Sequence, residues 1–226
     1  MSRRSYNQIC GLAQALDLIG ERWTLLVLRE LLLGPKRFGA LKDALPGVSA
    51  NLLSERLRSL ADAGLIESIE LPSPATGISA YALTERGEGL REPIESLSLW
   101  GMDLLEPEKQ IAAGWTARGS LMASSLMAQA RRDGSLEDLD SLVLNASVAG
   151  ERFVIRVIDG AGSVRHGAIE DADAELDLDL RGFYEVLSGR MELDSAAVVP
   201  AGAVTRVAAL LTALGAGAPA TAVASR

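Results

Sequence analysis

The chain has 226 residues, 48% apolar but only 4% aromatic, so Leu, Val, Ile and Ala must fill a core sufficient for one large domain or two ordinary ones. Its net charge of −8 is shared: residues 1–107 carry 11 Lys and Arg against 14 Asp and Glu, residues 108–226 carry 11 against 16. Neither half is basic, which argues against strong non-specific nucleic-acid binding; the lone Cys10 excludes an intrachain disulfide, no run of about 18 apolar residues is present to span a membrane, and a single His166 leaves little scope for zinc or His-based catalysis.

The first ten residues hold two arginines with no apolar run behind them, so no secretory signal is expected and a cytoplasmic location is. A short helix is predicted over 9–18, ended by Gly20, and a second over 23–33, with a broad leucine face stopped by Gly34-Pro35. A short third helix over 38–45 stops at Pro46-Gly47. Ser49 then caps a fourth that runs to about residue 63 and closes on Gly64. The period changes from helical to alternating at 65–71 and again at 78–83, with Pro72, Pro74 and Gly77 between, which predicts a hairpin with a long loop. Thr84 caps a long helix expected to reach residue 105 and end before Pro107.

A second region follows. A helix is predicted over 115–132, then strands over 142–148, 153–158, 164–169 and 175–180. A short helix is predicted over 183–187 and a final one over 203–214. The fold class is therefore α+β. An N-terminal domain (1–107) precedes a small α+β domain (115–214), and residues 215–226 form a tail rich in Ala, Gly, Thr, Pro and Ser that is expected to lack structure.

The order helix, helix, short helix, turn, helix, hairpin, helix is a winged helix-turn-helix: the short third helix braces the fourth, which is free to lie in a major groove. At about 100° per residue, Leu52, Leu53, Leu57 and Leu60 fall on one side of the fourth helix, and Asn51, Ser54, Glu55, Arg58 and Asp62 on the other. Asn can bond adenine bidentately and Arg guanine. Asn51 and Ser54 sit where recognition helices meet base edges, Arg58 one turn on. Arg56 lies beside the apolar stripe and is expected to reach a phosphate. Lys36, Arg37 and Lys42, around the third helix, are the expected backbone anchors, and Ser49 opens the fourth.

These residues resemble the HxlR-type winged-helix regulators. The resemblance rests on Cys10, on Leu16-Asp17-Leu18-Ile19-Gly20 and on Arg22-Trp23-Thr24-Leu25. It continues through Arg29-Glu30-Leu31, Gly34, Arg37-Phe38, Pro46-Gly47-Val48-Ser49, Leu53-Ser54 and Arg56-Leu57, then Ala63-Gly64-Leu65-Ile66, Tyr81-Ala82-Leu83-Thr84 and Trp100-Gly101. It implies a homodimer joined by its terminal helices, with two reading heads suited to an inverted-repeat operator in double-stranded DNA, most commonly as a repressor. The wing departs from the family, which often has a cation there: residues 71–79 hold none, and Glu67 and Glu70 flank it. In some relatives the cysteine at the place of Cys10 is a redox sensor, a role that Arg3 and Arg4 would assist. The alternative, favoured by the absence of a second cysteine, is a buried thiol acting as a small apolar residue.

The second region resembles the sterol carrier protein-like fold, on residues 153–158, Asp159-Gly160, 164–169, Asp171-Ala172-Asp173 and Leu187-Ser188-Gly189. That resemblance implies a pocket for an apolar small-molecule effector, which Trp115, Leu121, Met122, Leu126 and Met127 could line unless they are simply core. Asp171, Asp173, Glu175, Asp177 and Asp179 alternate with Ala and Leu, as the solvated face of a strand does; a calcium loop would need converging oxygens around a glycine turn. No role is expected for His166. No metal, cofactor or enzymatic activity is expected, since no nucleophile-elbow, phosphate-loop or dinucleotide motif is present. Two rival readings stand beside the ligand-sensing regulator: a thiol-switched regulator acting through Cys10, and a lipid-binding carrier whose N-terminal domain only dimerises.

Overall fold

Leucines recurring at helical spacing and a run of alternating residues build the first unit, Met1–Ile94. A computed structural model describes residues 5–72, 78–102, 104, 106, 109, 118–187, 197–198 and 203–215. In this unit α1 (Gly11–Ile19), α2 (Thr24–Leu32), α3 (Phe38–Ala44) and α4 (Ala50–Asp62) precede the antiparallel hairpin of β1 (Ile66–Leu71) and β2 (Ile78–Leu83). Val27, Leu28 and Leu31 of α2, Leu41 of α3 and Leu53, Leu57 and Leu60 of α4 are each at most 2% exposed and form one core. Gly64, at φ +67, turns the chain out of α4 into β1, a backbone that side chains rarely adopt.

The single helix expected beyond Thr84 is two: α5 (Glu85–Glu88) and α6 (Arg91–Met102). The Thr84 hydroxyl accepts from Gly87 N at 3.1 Å and donates to the Gly64 carbonyl at 2.7 Å, fixing the start as expected. Pro93 explains the break. It has no N–H, and its ring would meet the carbonyl four residues back, so a helix can hold it only in its first turn.

The second unit is Glu95–Arg226. It contains α7 (Gly119–Arg132), β3 (Leu142–Val148), β4 (Glu151–Ile158), β5 (Ala161–His166), β6 (Ala174–Leu178), α8 (Leu180–Leu187), β7 (Ala197–Val198) and α9 (Val204–Gly215). The strands form one sheet in the order β5-β4-β3-β6-β7, with β3 and β6 parallel and the other pairs antiparallel. Helix α7 packs on β5, β4 and β3, and α9 packs on α7, α8 and β3. Phe153 and Phe183, both fully buried, meet edge to face at 6.4 Å. Two glycines admit α7 to the sheet: a Cβ at Gly119 would stand 2.6 Å from Val148 Cβ, and one at Gly162 would meet Met127 and Leu136.

The strand expected over 164–169 ends at His166, because Gly167 turns at φ +104. Ile169 instead bonds the Asn145 side chain, donating to its Oδ1 at 3.0 Å and accepting from its Nδ2 at 2.8 Å. The alternating acids divide by task. Glu175 and Asp177 are exposed on β6. Asp173 accepts from Val143 N and pairs with Arg206, and Asp179 accepts from Gly182 N at the start of α8. His166 is not isolated: its Nε2 lies 2.9 Å from the Arg118 guanidinium, and its Nδ1 3.7 Å from Glu151. Leu126 and Met127 are 1% exposed and belong to the core. Trp115, Ser188, Gly189 and residues 216–226 lie outside the described residues, as do Arg3, Arg4, Pro74, Gly77 and Pro107.

Candidate nucleic-acid interface

Ser49 sets the start of α4. Its hydroxyl accepts from Leu52 N at 3.2 Å, satisfying a first-turn amide that would otherwise have no partner in the helix. With the leucine face buried, Asn51, Ser54, Glu55 and Arg58 are exposed along the opposite side. Arg37 is exposed just before α3, and Lys42 is half-buried on it. Between the two helices Gly47, at φ +92, makes the tight part of the turn.

Two expected backbone anchors are corrected. Lys36 is 9% exposed, and its Nζ is 3.5 Å from Glu30, itself fully buried. The reason is its backbone: Lys36 N donates to the Tyr81 carbonyl at 3.0 Å and Tyr81 N donates back at 2.8 Å, an isolated bridge to β2. Arg56 is 11% exposed and is held by the chain itself: Nε donates to the Arg22 carbonyl and a terminal nitrogen to Glu21, both at 3.2 Å. Arg37, Lys42, Ser49, Asn51, Ser54 and Arg58 thus remain on one side of α3 and α4 or at their starts, within reach of solvent.

Glu30 and Trp23, quoted above only as carrying the resemblance, and Glu21 were given no structural role by sequence reasoning. Glu30 left a signal, since a carboxylate inside a leucine stripe must find a partner; it bonds Arg29 at 2.9 Å as well as facing Lys36. Glu21 left none, and the motif at Trp23 did not reveal its left-handed backbone.

On the wing, Glu67 and Glu70 are exposed and the Ser68 and Ser79 hydroxyls bond at 3.0 Å; residues 73–77 lie outside the described residues. Cys10 corrects the buried-thiol reading: it is exposed, at the position before α1, where its carbonyl accepts from Gln14 N at 3.0 Å. Among the described residues no group of three or more His, Cys, Asp or Glu is placed to hold a metal, and no helix is long and apolar enough to cross a membrane.

The HxlR-like helix-turn-helix model matches residues 18–109. The HTH-type transcriptional regulator sll1512 of Synechocystis is 39% identical over 100 residues, 44% of this chain and 73% of that protein. The HTH-type transcriptional regulator YodB of Bacillus subtilis is 32% identical over 102 residues, 45% of this chain and 90% of that protein. The solved reduced form of YodB, at 32% identity, covers 44% of this chain and 98% of its own, with a TM-score of 0.38. The family model spans α2 to α6 with the hairpin between, and the chain belongs to the HxlR-like helix-turn-helix family.

Proposed function

We propose that the protein is a DNA-binding transcription regulator that acts as a homodimer on an inverted-repeat operator, as a repressor, with the second unit sensing an apolar small molecule. The observation that carries the reading is α4: capped at Ser49, braced by α3, and exposing Asn51, Ser54 and Arg58 along one side. In this reading those three meet base edges, while Arg37, Lys42 and Ser49 hold the phosphate backbone. Relatives named as HTH-type transcriptional regulators support it, and the same likeness weighs against a head that only dimerises.

Dimerisation is supported by exposed apolar side chains near both ends of the matched region: Tyr6, Ile9 and Leu12, and separately Leu97, Trp100 and Leu104. Burying such residues against a second copy removes apolar surface from water. The second unit, a five-stranded sheet with α7 and α9 packed on it, is of the α+β class that the sterol carrier protein-like reading requires, and the apolar effector rests on that reading alone. A ligand there can act only by binding two dimer arrangements unequally. The reading assigns no catalytic role to any residue. Selection of duplexes from a random pool by the full-length protein is expected to return an inverted repeat bound by two chains. Half-sites should lie about 10–10.5 base pairs apart or a multiple of that. Recovery of single, unpaired half-sites would overturn the dimeric part. Binding of acyl or isoprenoid probes that changes operator affinity tests the effector; probes that bind without changing it would contradict sensing.

The exposure of Cys10 favours a second reading, in which oxidation at the start of α1 alters the dimer. Cys10→Ser should then abolish an oxidant response of operator binding; an unchanged response would exclude it.

A further inference from the structure

Arg56 belongs to the recognition helix, yet its guanidinium serves the chain. Nε donates to the Arg22 carbonyl at 3.2 Å, one terminal nitrogen to Glu21 Oε2 at 3.2 Å, and the other to Glu55 Oε1 at 3.3 Å. The two contacts that leave α4 both end on the elbow joining α1 to α2. That elbow is constrained on its own account. Trp23 holds φ +78, a left-handed backbone that a bulky residue adopts only where its surroundings impose it. The Trp23 ring lies against the helix-turn-helix turn, where a Cβ at Gly47 would be 3.6 Å away, and the Arg22 guanidinium stands 5.7 Å from the ring centre. One strained elbow thus touches both the turn before α4 and the second turn of α4 itself.

We propose that Arg56 is a positioning residue for sequence reading, and that Glu21 determines specificity through it without touching DNA. The proposal rests on the reading that α4 lies in the major groove. The planar fork of Arg56 bonds two separate oxygens of the elbow, fixing the roll of α4 about its axis. A roll of about 20° moves side-chain tips at the helix surface by about 2 Å, more than a bidentate base contact tolerates. Loss of the clamp therefore degrades the choice of sequence while leaving the number of phosphate contacts unchanged.

The test uses the full-length protein, a duplex that the wild type selects from a random pool, and a scrambled duplex of the same composition. Binding is followed by anisotropy across a salt series for the wild type, Arg56→Gln, Glu21→Ala and the double variant. Each single variant is expected to lower the preference for the selected duplex roughly tenfold, about the worth of one bidentate base contact. The double variant should be no worse than either single, and all should keep the wild-type salt slope. A slope shallower by about 0.9 for Arg56→Gln with the preference intact makes Arg56 a phosphate contact and overturns the proposal. So does a Glu21→Ala variant with unchanged preference. Glu21 is 68% exposed, so that variant decides the matter even where Arg56→Gln does not fold. A wild type that selects no duplex overturns the groove reading and this proposal together; a selecting wild type with an unaffected Glu21→Ala overturns this proposal alone.

Discussion

At Lys36 the charge that would draw a phosphate is turned inward. Glu30, fully buried on α2, needs cationic partners, and Lys36 and Arg29 supply two. Lys36→Met is therefore expected to cost about 1–3 kcal/mol of stability. Thermal unfolding checks the loss, and the folded variant should keep the wild-type salt slope for DNA. A stable variant with a shallower slope would return Lys36 to the interface. In the proposed reading Asn51 and Arg58, both exposed on α4, face bases: alanine at either is expected to cost about 1–3 kcal/mol on the selected duplex and little on a scrambled one, measured as the ratio of the two affinities. The angular pattern of α4 was readable in the sequence because it repeats within one element. The inward turn of Lys36 was not, because it depends on a backbone bridge to Tyr81, 45 positions on.

Helix α7 depends on one close approach and one ion pair at its start. Gly119→Val would drive a side chain into Val148, whose Cβ already stands 2.6 Å from the place of a Cβ; the second unit is expected to lose cooperative unfolding in calorimetry. Glu151 binds the same helix start, accepting from Ser120 Oγ and from Arg118, both at 2.6 Å. Burial pushes the Glu151 carboxyl up, but the Ser120 and Arg118 hydrogen bonds and the Arg118 charge outweigh it and hold it below its ordinary value of 4.5. A lowered carboxyl stabilises the fold above its unfolded pKa, and this stabilisation fades as pH falls through the folded one. Glu151→Gln should thus be less stable than wild type at pH 7 and nearly equal to it well below pH 4.5; thermal unfolding at both pH values would contradict this by showing a constant difference. The strands of this unit were legible as alternating runs. The crossing of Ile169 onto Asn145 was not, since neither residue stands out in its own segment. The break at Pro93 could have been read, because proline inside a helical pattern always marks a boundary or kink.

For the whole molecule, the net charge of −8 stands against non-specific affinity for DNA; in the proposed homodimer the exposed cations of two heads would act together on one duplex. Trp100→Glu or Ile9→Glu, at exposed apolar positions, is expected to give a monomer in sedimentation and to abolish tight operator binding while leaving the fold intact. A dimer that persists in both would place the interface elsewhere. The family was legible from order and spacing in the first hundred residues. The role of the second unit was not, because a cavity follows from packing among residues far apart in the chain.

If the exposed side of α4 reads DNA, Asn51 and Arg58 must decide which duplex is held. Anisotropy of the full-length protein on its selected duplex across a salt series decides this, with wild type compared with Asn51→Ala, Arg58→Ala and Arg37→Ala. Wild-type binding is expected to weaken steeply with salt, the two α4 variants to lose sequence preference, and Arg37→Ala to lose affinity uniformly with a slope shallower by about 0.9. Failure of all four proteins to bind any duplex at low salt would contradict it.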